Sequence, residues 1–212
     1  MKRVAGMTLL LVLGSATARA QEPRLAGRLP ESARQRIEAV LDSARALGLP
    51  VEPLVDRALE GSAKGAPPDL IANAVVRLRD ELVVVRTALG ESASTAELTA
   101  GASALRAGAR AHDLARLRSL RSGRPVTIAA AVLADLVAAG VPADTALGAV
   151  LAIARDAEDA DYIAFRRSVQ GDIEQGASPA AALAVRLRAV TESDVIAPGT
   201  GQNDAPRRPR KP

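Results

Sequence analysis

Thr127-Ile128-Ala129-Ala130-Ala131-Val132-Leu133-Ala134-Asp135-Leu136-Val137-Ala138-Ala139-Gly140-Val141-Pro142 decides the fold class. From Ile128 to Ala139 every residue is apolar except Asp135. Twelve residues are too many for an ordinary strand, and the composition is that of a helix buried on most sides. This segment is expected at the centre of the fold. Asp135 is then expected in a surface groove or paired with an arginine, because an ionised carboxylate left alone in a core costs several kcal/mol.

The Gly140-Val141-Pro142 that ends the run recurs along the chain. It returns as Gly48-Leu49-Pro50, Gly65-Ala66-Pro67 and Gly123-Arg124-Pro125, with variants Gly108-Ala109-Arg110 and Gly176-Ala177-Ser178 before Pro179. Glycine takes the left-handed conformation just past a helix end, where a Cβ is penalised. The residue after it can pack back on the last turn. A proline near the next helix start has its φ already set and loses no needed hydrogen bond. Each joint therefore reverses the chain between two short helices.

Working outward from these joints, helices are expected at about 31–47, 52–60, 68–89, 95–107, 111–122, 126–139, 144–156, 161–175 and 179–190. In the first, Ile37, Val40, Leu41, Ala44 and Leu47 fall at spacings of three and four. Ser94 or Thr95 with Glu97 or Leu98 behind it opens the fourth. Tyr162, Phe165, Val169 and Ile173 share one face of the eighth, and those two aromatics are the only ones in the chain. That stripe reads as packing and not as a cofactor box. The fold class is all-α: an irregular bundle or a short solenoid-like stack of short antiparallel helices. The joints are unevenly spaced and match no common repeat consensus, which favours the bundle.

The ends differ from the middle. Lys2 and Arg3, the apolar run Val4 to Leu13 and Ala18-Arg19-Ala20 are the three parts of a secretory signal peptide. Residues 1–20 are read as that signal, cleaved after Ala20, and the apolar run is about half the roughly 20 residues that span a bilayer. Residues 21–30 read as a flexible lead-in, 31–191 as one all-helical domain and 192–212 as a disordered tail rich in proline and arginine. The chain has no cysteine, so neither a lipid anchor on cysteine nor a disulfide supports it. Export implies a periplasmic or secreted location.

Charge by segment argues against nucleic acid. Residues 1–20 carry Lys2, Arg3 and Arg19 with no acid, and residues 197–212 carry Arg207, Arg208, Arg210 and Lys211 against Asp204. Of the net +4, residues 21–196 therefore keep −2, with both signs interspersed. The basic tail could give weak attraction to anionic surfaces, falling off within a Debye length.

Gly48-Leu49-Pro50 through Pro53-Leu54, Glu60-Gly61-Ser62-Ala63-Lys64-Gly65, Pro67-Pro68, Gly140-Val141-Pro142 and Asp172-Ile173 give the chain a resemblance. It resembles a group of uncharacterised exported helical proteins of bacteria over roughly residues 45–190. The resemblance implies the fold and export, and no activity.

Catalytic chemistry finds little to work with. His112 is the only histidine, so one chain cannot build a two-histidine metal site. Beside Asp113 at a helix start it reads as solvated or capping, and no Gly-x-Ser-x-Gly elbow accompanies it. Asp156, Glu158, Asp159 and Asp161 lie within six residues, but a calcium loop counted from Asp156 puts Asp161 where glycine belongs and Arg167 where glutamate belongs. Those acids read as helix caps. Glu60 to Gly65 has two glycines and Lys64 but lacks the phosphate-loop order. No catalytic, cofactor-binding or metal-ligating residue and no cofactor are assigned. The expected role is a non-enzymatic interaction or scaffold protein of the bacterial cell envelope, with an envelope protein as partner. A helical module for a small ligand is the alternative, and a carboxylate-based hydrolase of envelope polymers the least favoured.

Overall fold

The computed structural model describes residues 22–195. The signal-peptide reading and the basic residues of the tail lie outside them. Among the described residues there are nine α-helices and no strand: α1 (Glu31–Ala46), α2 (Glu52–Ala63), α3 (Pro68–Leu89), α4 (Thr95–Arg106), α5 (Ala111–Leu120), α6 (Thr127–Ala138), α7 (Ala143–Ala152), α8 (Asp159–Glu174) and α9 (Pro179–Val195). The protein is all-helical, as the periodicity predicts. No helix among the described residues is long and apolar enough to cross a membrane.

The joints behave as their chemistry requires. Gly48, Gly65, Gly108, Gly123, Gly140 and Gly176 all have positive φ, between 66° and 108°. At five of them the residue after glycine donates its N–H to the carbonyl five residues back: Leu49 to Ala44, Ala66 to Gly61, Ala109 to Ala104, Val141 to Leu136 and Ala177 to Asp172. This is the Schellman closure, which pairs carbonyls that the helix end leaves open. The Gly123 joint differs. There Arg124 N–H donates to Arg121 O at 2.8 Å, and α5 stops at Leu120.

The described chain divides into two compact units, one through Val75 and the other from Val76, with the division inside α3. In the first unit α1 and α2 pack together, with Ile37, Leu41, Ala44, Leu54, Val55 and Ala58 fully buried. The expected lead-in contributes to this core. Pro23–Leu25 form a 3-10 turn packed on α2, Leu25 is fully buried, and Arg24 meets Glu52 with both Nη atoms. Leu25 and Leu29, the two leucines of this decapeptide, make no periodic run that would betray it.

In the second unit the helices alternate between two rows. α4 packs on α6 and α6 on α8, while α5 packs on α7 and α7 on α9. Cross-contacts between α6 and α7 and between α8 and α9 hold the rows together. α6 is the middle of its row, with Ala129, Ala130, Val132, Leu133 and Leu136 buried, as its composition predicts. This i to i+2 packing is that of stacked helical hairpins. Tyr162, Phe165 and Val169 of α8 are buried, so the aromatic stripe is core. Asp135 meets Arg166 at 2.9 Å, one of the two placements expected of it. α9 runs on to Val195, past the expected start of the tail at 192.

Candidate functional site

Because α4, α6 and α8 form one row, side chains near their amino-terminal ends can join one helix start to the next. Two polar knots do so. The first is centred on Glu97, in the first turn of α4. Its carboxylate accepts from Ser94 N–H at 2.9 Å and from the Ser94 hydroxyl, while Ser94 Oγ accepts from Glu97 N–H. That is a capping box, which settles the start of α4 on Ser94 with Glu97. The same carboxylate also accepts from Val126 N–H at 3.1 Å, just before α6, and from Arg118 of α5. Burial pushes the Glu97 carboxyl up, but the backbone N–H groups of Ser94 and Val126, together with Arg118, outweigh it and hold the group below the usual carboxylate range.

Arg121 is the second knot. Its side chain is 1% exposed, although it carries a full charge. Nε donates to Pro125 O at 2.9 Å, Nη1 to Ala157 O at 2.7 Å and Nη2 to Asp159 Oδ1 at 2.7 Å. The guanidinium carbon lies 5.1 Å from the centre of the Tyr162 ring, within cation–π range. Tyr162 in turn donates its hydroxyl to Val150 O at 3.1 Å, and burial pushes its pKa up. Arg124 adds bonds to the carbonyls of Ala154, Arg155 and Ala157 and to Glu158. The two arginines of the irregular Gly123 joint therefore cap the carbonyls that follow α7 and tie them to the start of α8. Sequence inspection missed this, since 30 to 38 residues separate donors from acceptors. The only local hint was an arginine in the middle of a Gly-x-Pro joint.

The acid cluster of 156–161 is dispersed by these contacts. Asp159 serves Arg121 and Glu158 serves Arg124. Asp161 accepts from Glu158 N–H at 2.8 Å as the cap of α8. Among the described residues no group of three or more acids or histidines could hold a metal ion. His112 is 67% exposed with Nε2 3.0 Å from Asp113 Oδ1, and Asp113 accepts from Arg110 N–H at 2.9 Å to open α5. Lys64 is exposed and pairs with Glu60 on the last turns of α2. The Glu60 to Gly65 stretch is thus a helix end.

A groove remains, of about 420 Å³, between α8, α9 and the turn that follows α7. Ile153, Ala157 and Phe165 form its buried floor, and Ala164, Ala189 and Val190 its walls. Asp156, Asp161, Ser168 and Arg186 supply the polar rim. Arg186 is already engaged: its Nε and Nη2 grip the two oxygens of Asp172, and that fork raises the arginine and lowers the aspartate. Apolar floors with few polar groups are the usual form of ligand sites, and the volume falls in their range of roughly 300–1,000 Å³. No protein-family model, no curated protein and no solved structure matches the chain.

Proposed function

We propose that the chain is exported and that its mature part is a non-enzymatic interaction or scaffold protein of the bacterial cell envelope. The signal-like order of residues 1–20 supports export, as does the resemblance to exported helical proteins. One observation carries the interaction reading: the buried charged side chains are engaged within the fold. Glu97 and Asp113 cap helix starts, Arg121 caps the chain after α7 and Glu38 pairs with Arg34 inside α1. Groups so engaged stiffen a scaffold and are poor general acids or bases, since catalysis needs them free to exchange protons with a substrate. Short stacked helices also offer broad surfaces, as other helical stacks do.

The test is crosslinking in intact cells of the full chain expressed from its own start codon. The expected result is a stable crosslinked partner in the envelope fraction and an intact mass beginning at Gln21. A monomer without partner, or a mass retaining residues 1–20, would overturn the corresponding half of the proposal. The groove between α8 and α9 favours a second reading, a module that holds a small ligand. Native mass spectrometry of protein purified from its own host checks it: a bound mass supports this reading and a bare chain refutes it.

A further inference from the structure

We infer that the α8–α9 groove takes a small cationic amphiphile, an apolar body carrying an ammonium or similar monocation. The inference rests on the reading of this groove as a ligand site and names the ligand's chemistry. The floor of Ile153, Ala157 and Phe165 asks for an apolar body. The sign of the charge follows from which rim groups are already compensated. Arg186 is neutralised by the two-point grip of Asp172. Asp161 receives one backbone N–H, and no arginine, lysine or histidine among the described residues is paired with it or with Asp156. Among the described residues Asp156 and Asp161 therefore have no cationic partner at the mouth.

An anionic ligand would meet these two carboxylates and, among the described residues that line the groove, no unpaired cation; a cation meets complementary charge above an apolar floor.

The test is calorimetric titration of the full chain with decylammonium, decanol and decanoate, at matched concentrations below micelle formation. The expected order is decylammonium tightest, decanol weaker and decanoate weakest. The double variant D156N/D161N should weaken decylammonium about three- to tenfold, the range for two exposed charge pairs, and leave decanol unchanged. Ala164→Trp, which fills the exposed wall of the groove, should abolish binding of all three; a melt superimposable on that of the parent chain shows that it still folds. Equal binding of all three, or decanoate tightest, would overturn the charge assignment while leaving the groove as a ligand site. No binding by any probe would overturn both the inference and the ligand-module reading, and leave the scaffold proposal standing.

Discussion

Replacing Arg121 by methionine isolates what its guanidinium contributes. Methionine keeps the unbranched stem, so the void is small, and the loss is confined to three donated bonds and one cation–π contact. Asp159 is 45% exposed and rehydrates, so its share is about 0–1 kcal/mol. The Ala157 carbonyl keeps Arg124 Nη1 at 3.1 Å, and its share is small. Pro125 O loses its charged donor, about 1–3 kcal/mol, and the desolvated contact with Tyr162 adds about 1–2 kcal/mol. Buried ion pairs replaced whole by apolar groups often break even. Here only the cation is removed and its carbonyl acceptors stay behind, so the sign is destabilising. The expected total is about 2–6 kcal/mol, or roughly 4–24 °C in Tm for a chain of this size. Arg121→Ala should cost about 1–2 kcal/mol more through the cavity it opens, and Arg121→Lys less than methionine, because an ammonium keeps the charge but cannot span three acceptors. Urea unfolding followed by circular dichroism measures each. An R121M chain within about 0.5 kcal/mol of the parent would refute the claim that this arginine holds the joint.

Glu97 gives a pH dependence. Its folded carboxyl lies below the usual range, so its contribution is full above the unfolded pKa near 4.3 and is lost as pH falls through the folded value. Stability should therefore fall on acidification below about pH 4.5, and Glu97→Gln should flatten that slope while costing about 1–3 kcal/mol at neutral pH; an unchanged slope in urea titrations would count against it. Two glycines inside helices should respond with opposite signs. A Cβ on Gly101 would lie 2.5 Å from Val85 Cγ1, so Gly101→Ala should destabilise by about 1–3 kcal/mol despite better helix propensity. Gly171 has nothing within 4 Å of a built Cβ, so Gly171→Ala should stabilise by about 0.5–1 kcal/mol. Thermal melts of the two variants moving in the same direction would contradict this packing. Tyr162→Phe, which removes the donor to Val150 O, should cost about 1 kcal/mol in the same assay.

The sequence by itself determined the helices, most of their ends and the hand of the joints, because those are set by contacts within a few residues. A glycine that must take positive φ, a proline with φ preset and apolar residues three and four apart act locally, and the expected starts of α1, α2, α3, α4, α5 and α9 coincide with those observed. Spacing also assigned the aromatic stripe to packing, where Tyr162, Phe165 and Val169 are buried, while Asp135, expected in a surface groove or beside an arginine, pairs with Arg166. Only packing decided how the helices alternate between rows, that Leu25 joins a core, that Arg121 is buried and that Asp156 and Asp161 line a groove with no cationic partner among the described residues. Each of these depends on groups brought together from distant positions, such as Arg121 with Asp159 across 38 residues. A charged residue's local sequence fixes its reach but not its partner. The partner is chosen when the helices pack, and with it whether a carboxylate closes a helix cap, as Glu97 does, or lines a groove, as Asp156 does.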